Sequence, residues 1–526
     1  MTHLVFRLAR LCCVLLLAAA ASAAWADPPS RVGRISLAEG VLSLRHADEA
    51  QWSPAGLNFP VIAGDAVWAD QTARGEIQFG GAEARIDNAS LLTILRLDEE
   101  ATQLRLDQGV LNLAVRFLPP GGLQVITAVG QLDIRQPGEY HVDAGRPNGP
   151  PTQLVMGVLV GEARFSGPRG IVELHSGQGV MIPPDQSQLT VVSLTTTPFD
   201  QWAEMRAQTL QTVQSVRYVS AEVTGYQDLD HYGRWEEIPD YGMVWFPTAV
   251  EVGWAPYRHG HWAFIRPWGW TWIDDAPWGF APFHYGRWVL FEGRWAWIPG
   301  ERRERPCYAP ALVAFVGGAP GVEIGVGVSW LPLGPHEVFH PYYPVSEGYL
   351  RAVNRPHVAN VTQINVTNVT VNNYVNRGAA TSVPAAAFTG GQPVHQNLAP
   401  PPSFQGRQQP PGILTNLNHL QPSAPAAPAP AAIPAPRQAP FVAPQAPAAP
   451  AVQPQAPAVP APRAAPPAPA AQPQAMPAPT PRPAPTPAPA PPQPQFAPPH
   501  PAPQPQQQPA QPQKRPEHEH DHEREH

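Results

Sequence analysis

The stretch that decides the fold is Gly253-Trp254-Ala255-Pro256-Tyr257-Arg258-His259-Gly260-His261-Trp262. It recurs about 26 residues later as Gly279-Phe280-Ala281-Pro282-Phe283-His284-Tyr285-Gly286-Arg287-Trp288, and a looser copy ends in Tyr232-Gly233-Arg234-Trp235. Each Gly-x-Trp is followed by a glycine turn and a second tryptophan: Gly242 to Trp245, Gly269 to Trp272 and Gly293 to Trp297. The pattern predicts β-hairpins with one tryptophan on each strand. Such hairpins bury their faces only by stacking on neighbours.

The tryptophans of this region have two interpretations. In the first, they form a stacked aromatic core, because a buried aromatic side chain removes about 150–250 Å² from water. In the second, some of them form an exposed platform for sugar rings or peptides. Trp235, Trp262 and Trp288 occupy equivalent positions and are predicted to be structural. Trp268, Trp270 and Trp272 lie at period 2 on one strand face and are the predicted ligand-binding residues.

Composition divides the 526 residues into three parts. Eleven of the 16 tryptophans lie between Trp235 and Trp297, and 41 of the 72 prolines lie between Pro400 and Pro516. Only 14% of residues are charged, against about a quarter in ordinary globular proteins. A pI near 6.2 without a basic stripe argues against a nucleic-acid binder. Beyond the N-terminus no apolar run reaches the length of a membrane-spanning helix.

Residues 1–26 resemble a secretory signal peptide in their pattern. Arg7 and Arg10 precede an apolar run, and Ala24-Trp25-Ala26 is a small-x-small cleavage site. The alternative is an uncleaved membrane anchor. Cleavage predicts a periplasmic or otherwise extracytoplasmic bacterial protein. It leaves Cys307 as the single thiol, so no intrachain disulfide is expected. We interpret Cys307 as a buried small side chain rather than a nucleophile.

Residues 30–195 consist of short alternating runs separated by glycine turns. Leu104 and Leu106, for example, alternate with polar residues. Strands of about five residues with turns every 8–12 residues predict a mostly β domain, either a sandwich or a rolled sheet. A helix is predicted over 198–217, because Thr197-Pro198-Phe199-Asp200 combines an N-cap threonine with proline and an acid in the first turn.

Several motifs of this domain resemble FecR-like domains. They are Val61-Ile62-Ala63-Gly64-Asp65-Ala66-Val67-Trp68, Gly75-Glu76-Ile77-Gln78-Phe79, Leu106-Asp107-Gln108-Gly109-Val110-Leu111, Val158-Leu159-Val160-Gly161-Glu162-Ala163-Arg164-Phe165 and Ser176-Gly177-Gln178-Gly179. The family's Thr-Pro dipeptide is replaced by Thr127-Ala128. The resemblance implies an extracytoplasmic β module. FecR-like regulators signal through a spanning helix to a sigma-factor system, and this sequence shows no such helix.

The tryptophan-rich region resembles an uncharacterised Trp/Gly/Pro-rich family that follows FecR-like domains in exported bacterial proteins. The resemblance begins near Arg217-Tyr218-Val219-Ser220 and continues through Ser329-Trp330-Leu331-Pro332-Leu333-Gly334-Pro335-His336-Glu337-Val338. It implies no activity. We assign the hairpin domain to 218–345 and an Asn/Thr-rich, β-prone segment to 346–378.

Residues 379–526 are predicted to be a disordered Pro/Ala/Gln-rich tail, because this composition cannot bury a core. Its end alternates histidine with acids, and His518, His520 and His522 form a weak candidate site for a divalent metal. The alternative is a soluble charged terminus. Two further histidine groups, His259/His261/His284 and His336/His340, lack the spacing of a known metal site.

The sequence contains no catalytic signature, and no cofactor is predicted. Glu236, Asp274 and neighbouring acids are interpreted as turn-capping or solvated groups rather than a glycosidase pair. The leading prediction is therefore a non-catalytic envelope binding or scaffolding protein whose partner is an envelope glycan or an envelope protein. One alternative is an accessory of FecR-like envelope signalling, and a second is a glycan-active enzyme.

Overall fold

The structure is a computed structural model that describes residues 27–47, 49–146, 153–186, 188–211, 214–317, 327–358, 374–400, 412–417 and 419–423. These residues belong to one compact unit. The predicted signal segment, the Asn/Thr run at 359–373 and the histidine-rich end lie outside the described residues. The fold is mostly β, as predicted. In the described part of the chain, every helix is too short or too polar to span a bilayer.

The first domain is a sandwich of two nine-stranded sheets. Its strands are β1 Gly33–Glu39, β2 Leu42–Arg45, β3 Ser53–Pro54, β4 Pro60–Val61, β5 Ala66–Ala69, β6 Arg74–Gln78, β7 Ala82–Ile86, β8 Ser90–Leu97, β9 Thr102–Gln108, β10 Val110–Val115, β11 Leu123–Thr127, β12 Gly130–Ile134, β13 Gly138–Asp143, β14 Leu154–Val160, β15 Glu162–Gly167, β16 Gly170–His175, β17 Gln178–Ile182 and β18 Thr190–Ser193. One sheet has the order β18-β17-β14-β13-β10-β7-β6-β1-β4, and the other β16-β15-β12-β11-β9-β8-β5-β2-β3.

Period-2 alternation builds the core of the sandwich. In β9, residues 102, 104, 106 and 108 are buried while the residues between them are half-exposed. Leu104 and Leu106 of this sheet and Tyr140 and Val142 of the other belong to the same apolar cluster. Neighbouring strands are mostly antiparallel, but β9 and β11 run parallel, with Leu104 opposite Val125. The alternation in the sequence therefore predicted the inward face correctly.

The linking helix, α1, spans Pro198–Gln211. Asp200 accepts hydrogen bonds from the Thr197 backbone N–H (2.9 Å) and hydroxyl (2.8 Å), and the Asp200 N–H donates to the Thr197 hydroxyl (3.1 Å). This reciprocal cap confirms the predicted start. The predicted end at 217 was wrong, because Ser215–Arg217 is a separate 3-10 turn. The Asp230 carboxylate accepts from the Ser215 N–H and hydroxyl there.

Buried charged groups dock α1 on the sandwich. The Asp200 carboxylate contacts His141 Nδ1 at 2.9 Å and accepts from the Asn112 amide at 3.1 Å. Glu76, fully buried in β6, pairs with Arg85 (2.9 Å) and with Arg206 of the helix (3.0 Å). Burial alone would raise the pKa of Glu76, but the two arginines hold it at about 2. The helix is therefore positioned by ion pairs as well as by apolar contact.

The second domain carries the remaining elements. Its helices are α2 Leu229–Tyr232, α3 Ala281–His284, α4 Glu347–Asn354 and α5 Ala385–Thr389. Its strands are β19 Gly233–Ile238, β20 Gly242–Pro247, β21 Gly260–Ile265, β22 Gly269–Asp274, β23 Arg287–Phe291, β24 Arg294–Ile298, β25 Val313–Gly317, β26 Gly327–Pro332, β27 Thr381–Pro384 and β28 Gly412–Ile413. They form sheets of order β19-β20-β24-β23, β21-β22 and β27-β26-β25-β28.

Each Gly-x-Trp motif lies on a hairpin, as predicted. The paired tryptophans stand directly opposite one another in register: Trp235 and Trp245, Trp262 and Trp272, Trp288 and Trp297. The glycine of each motif leaves room for the returning indole. A Cβ would lie 2.3 Å from the Trp245 ring at Gly233, 2.7 Å from Trp272 at Gly260 and 2.2 Å from Trp297 at Gly286.

The hairpins share one aromatic core. Trp262 is 1% exposed, and its ring centroid lies 5.1–5.5 Å from those of its aromatic neighbours, Trp272, Phe315, Trp330 and Phe388. Several buried indole N–H groups donate to backbone carbonyls, as where Trp288 donates to Pro282 at 2.9 Å. Those of Trp262 and Trp268 are buried without an acceptor among the described residues. This core contains no disulfide, since Cys307 is a free, buried thiol. Burial raises the pKa of that thiol to about 12.

The predicted boundaries after residue 345 were wrong. Part of the segment predicted to be β-prone is α4, which buries Tyr349 and Val353. Residues assigned to the tail form β27, α5 and β28, and Leu417 and Leu420 are buried in the same aromatic core. Periodicity could not reveal these contributions, because each element is only two to five residues long. The folded part therefore extends to about residue 423.

The two domains are joined through Arg34, a fully buried residue of β1. Its guanidinium donates to Gln78 (2.9 Å) and Asn58 (2.9 Å) of the sandwich and to the Pro277 carbonyl (3.1 Å) of the second domain, and it pairs with the Asp228 carboxylate. Asn58 in turn donates to the carbonyls of residues 274 and 276. Burial lowers the pKa of Arg34 to about 9, so it remains charged at neutral pH.

Replacing Arg34 should destabilise the chain strongly. Arg34→Ala leaves the Asp228 carboxylate buried without its partner, which we expect to cost about 3–5 kcal/mol in the free energy of unfolding. Arg96→Ala removes an exposed pair with Asp98 and should cost less than about 1 kcal/mol. Urea unfolding of both variants measures the difference. Equal losses of unfolding free energy in the two variants would contradict the role of Arg34 as a link between the domains.

A second substitution tests the position of the domain end. Leu417 is 3% exposed and Leu398 is 54% exposed. Leu417→Ala should therefore cost about 2–5 kcal/mol, and Leu398→Ala less than about 0.5 kcal/mol. If thermal unfolding shows the same small effect for both, the folded part ends before residue 400, close to the boundary predicted from the sequence.

Candidate functional site

The predicted exposed platform is not present, because its three tryptophans are buried. Trp268 and Trp270 are each 2% exposed, and Trp272 is fully buried. The Trp268 ring packs on Tyr308 (4.9 Å between centroids), and that of Trp270 packs on Phe388 (4.5 Å). All three belong to the aromatic core.

The cover over these residues comes from distant parts of the chain. The indole N–H of Trp270 donates to the carbonyl of Leu420 at 2.9 Å. The backbone carbonyl of Trp270 accepts a hydrogen bond from the Tyr342 hydroxyl at 2.6 Å. The Trp272 N–H donates to the Asp274 carboxylate at 3.0 Å. Period 2 predicts that the three indoles share one strand face, but the sequence carried no signal that Phe388 and Leu420 pack against Trp270.

Two other tryptophans of the hairpin region are partly exposed, Trp235 and Trp254. Trp235 on β19 packs against the rings of Tyr218 and Trp297. Trp262 has four such neighbours, Trp272, Phe315, Trp330 and Phe388, and is more fully enclosed. The predicted structural role of Trp235 therefore holds only in part. Trp254 lies in a loop and packs edge-on against Trp288 at 5.6 Å between centroids. These two rings are the available aromatic surfaces.

Trp254 lines a groove of about 810 Å³. The groove lies where β20 and β24 separate. The two strands are in register at Trp245 and Trp297, and beyond this pair Pro247 has no N–H with which to continue the ladder. The groove is lined by Arg234, Phe246, Pro247, Thr248, Val250, Glu251, Val252, Gly253, Trp254, Ala255, Arg258, Leu290, Gly293, Arg294, Trp295, Val375, Asn376, Gly378 and Ala379.

The charge of the groove differs from that of the whole chain. Three arginines and one glutamate line it, whereas the chain has a formal charge of −7. Arg294 makes a two-pronged contact with Glu236 (3.1 and 3.2 Å) and lies 4.1 Å from the Phe246 ring centroid. Arg294 and Arg234 hold the pKa of Glu236 at about 2, so this carboxylate is ionised at neutral pH.

Arg258 is the cation that other groups of the groove do not neutralise. Its Nε donates to the Thr381 hydroxyl at 3.1 Å. Among the described residues, no carboxylate forms an ion pair with Arg258. Partial burial lowers its pKa, but an arginine remains protonated. A half-buried cation beside a partly exposed indole suits an anionic group carried on an apolar or sugar framework.

The other sequence candidates do not converge on this groove. His284 is fully buried, and its Nδ1 contacts the Ala309 carbonyl at 2.8 Å. Burial lowers its pKa to about 3. Glu337 accepts from the backbone N–H groups of Gly334 and Val375 at 2.6 Å each. Asp274 caps the Ala276 N–H at 3.0 Å. These side chains have structural partners, as the turn-capping interpretation predicts for Asp274.

No metal centre is built by the described residues, since they contain no group of three or more histidine, cysteine or carboxylate side chains able to hold an ion. His259 stacks on His395 with centroids 5.5 Å apart, which brings two imidazoles together but no third ligand. The candidate metal residues His518, His520 and His522 lie outside the described residues, so that hypothesis stays a prediction.

Burial changes the expected effect of replacing Trp268. Because Trp268 is as buried as Trp262, each alanine substitution should cost about 3–5 kcal/mol. Trp235→Ala should cost less, under about 2 kcal/mol, because part of the ring is already in water. Chemical unfolding of the three variants provides the comparison. A Trp268→Ala variant as stable as Trp235→Ala would restore the exposed platform.

Comparison with known proteins adds a family match in the hairpin domain. Residues 226–337 match a family of unknown function (DUF6600), and no curated protein matches the chain.

Two crystal structures of a proposed anti-sigma factor from Parabacteroides distasonis ATCC 8503 match this chain at 8% and 9% identity, with TM-scores of 0.24 and 0.23. The matches cover 26% and 35% of this chain and 64% and 99% of those chains. The first match thus spans less than two thirds of that structure's length. The FecR-like character of the first domain stays a prediction.

Proposed function

We propose that this chain is a non-catalytic, exported protein that binds an acidic glycan of the bacterial cell envelope in the groove at Trp254 and Arg258. The observation that carries the proposal is a half-buried arginine that has no carboxylate partner among the described residues and lies in a concavity that also presents an indole. Sugar rings stack their apolar faces on indoles, and a uronic acid adds a carboxylate for the arginine. Export is supported by the signal-peptide pattern of residues 1–26.

The composition of the groove supports binding rather than catalysis. Glycoside hydrolysis needs a pair of carboxyl groups, one of them with a raised pKa. One carboxylate, that of Glu251, lines the groove. Glu236, which pairs with the lining residues Arg234 and Arg294, has a pKa lowered to about 2, which makes it a poor proton donor. Asp274 does have a raised pKa, caused by burial, but it is enclosed beside Trp272 and does not line the groove. A single lining carboxylate supports binding over hydrolysis in this groove.

The size and exposure of the groove also fit a glycan. A volume of about 810 Å³ lies within the range of sites that hold ligands of several rings, roughly 300–1,000 Å³. Val252 and Leu290 project from its rim and are largely exposed. A site with an aromatic floor, an aliphatic rim and a cation recognises an amphipathic surface, and sugars carrying carboxylates present one.

Binding of a hexamer of galacturonic acid to the mature chain tests the proposal. Isothermal titration should detect binding that weakens with added salt, because the arginines are partly solvated. Trp254→Ala and Arg258→Ala should each weaken binding by about tenfold or more, equivalent to about 1.4 kcal/mol. Arg258→Lys should retain part of the affinity, because the charge is kept but the planar fork is lost.

Two controls separate this result from a general effect. Arg96→Ala removes a surface arginine of the first domain and should leave binding unchanged. A neutral hexamer with the same linkage lacks the carboxylates and should bind more weakly than the acidic one. Equal binding of both hexamers, or unchanged affinity in Trp254→Ala and Arg258→Ala, would contradict the proposal.

A further inference from the structure

A second concavity adjoins the groove. Its volume is about 460 Å³, and its lining includes Arg234, Trp235 and Tyr218. Arg234 lines both concavities, so the two meet at this side chain. About three fifths of the Arg234 side chain is exposed. The groove at Trp254 therefore continues past a solvated cation toward a second aromatic surface.

The second concavity repeats the chemistry of the first. Trp235 and Tyr218 pack together with ring centroids 5.0 Å apart, and both remain partly exposed. The Trp235 N–H donates to the Ser215 hydroxyl at 2.9 Å, which holds the indole in place. Preorganised aromatic surfaces bind with little loss of side-chain freedom. Trp235 thus offers a stacking surface whose orientation is set before a ligand arrives.

The acid in the second concavity, Asp230, already accepts hydrogen bonds from neighbouring groups. The Asp230 carboxylate accepts hydrogen bonds from the Ser215 N–H (3.0 Å) and hydroxyl (2.7 Å), and from the Gln214 N–H. These donors offset its charge locally, so it opposes an anionic ligand less than a free carboxylate would. Arg234 shares the Glu236 carboxylate with Arg294, so this group of three side chains keeps a net positive charge. Arg234 is then the cation that a passing carboxylate meets between the two indoles.

A third concavity marks where the favourable path for an acidic chain ends. It shares Tyr218 with the second and is lined by Asp240, Glu301 and Arg355 among others. Arg355 already pairs with Glu304 at 3.6 Å, so the two lining carboxylates outweigh it and disfavour a polyanion in the third concavity. The favourable path therefore runs from Trp254 past Arg234 to Trp235 and Tyr218.

We infer that the first two concavities form one extended site for a linear acidic polysaccharide, with Trp254 and Trp235 as separate stacking positions joined by Arg234. This inference rests on the proposed function and adds to it the length of the ligand. The combined space exceeds the volume that a short oligosaccharide fills. A long chain therefore contacts both indoles, whereas a short oligomer occupies only the groove at Trp254.

Length dependence of binding tests the inference. We expect a galacturonate dodecamer to bind the mature wild-type chain about tenfold or more tightly than the trimer, because each added stacking contact strengthens binding without a second loss of translational freedom. Trp235→Ala should remove this advantage while leaving trimer affinity unchanged. Trp254→Ala should weaken binding of both oligomers.

Tyr218→Ala provides a second variant in case Trp235→Ala unfolds, and it should also weaken only dodecamer binding. Arg96→Ala is the matched control and should change neither affinity. Thermal unfolding of each variant confirms that binding is measured on folded protein.

The outcomes distinguish the two proposals. If trimer and dodecamer bind equally, or if Trp235→Ala and Tyr218→Ala both keep the advantage of the long chain, the extended site is overturned and the groove proposal survives. If neither oligomer binds, both proposals fall. If a glutamate-rich peptide of comparable length binds more tightly than the dodecamer and shows the same dependence on Trp235, the ligand is an acidic protein segment and the glycan assignment is overturned.

Discussion

The burial of one cation, Arg34, sets the relation between the two domains. A guanidinium taken out of water must have its donors satisfied and its charge matched. Here Gln78 and Asn58 of the sandwich supply two acceptors, and Asp228 with the Pro277 carbonyl supplies the others from the hairpin domain. Neither domain alone completes this set. The structure consequently behaves as one body, and the hairpins are presented to solvent in a defined orientation.

The hairpin domain solves a second problem, stability without disulfides. Its tryptophans face each other across hairpins, and the glycine of each Gly-x-Trp motif admits the opposite indole. Most of these rings are buried in the aromatic core. The rings left partly exposed are Trp235 on β19 and Trp254 in a loop, each packed against the core on one side. The proposed binding surface uses these two aromatic side chains, which packing covers only in part.

The charge of the groove also differs from that of the rest of the chain. Glu236 is neutralised by two arginines, whereas Arg258 has only a hydroxyl partner in the described part of the chain. The groove is therefore more positive than the acidic chain around it. Long-range attraction and local stacking act on the same ligand here, and this combination favours a polymer that carries both carboxylates and apolar ring faces.

Local patterns in the sequence predicted a mostly β first domain, the start of α1 and hairpins with one tryptophan on each strand, because period 2, capping residues and turn glycines act over a few neighbouring positions. They also determined that Cys307 would be buried rather than reactive. Only the tertiary structure decided which indoles remain accessible. Trp268, Trp270 and Trp272 share a face in the sequence pattern, yet Phe388 and Leu420 pack over that region from more than 100 positions away. Exposure depends on such distant cover, and the elements that provide it are too short to have a period.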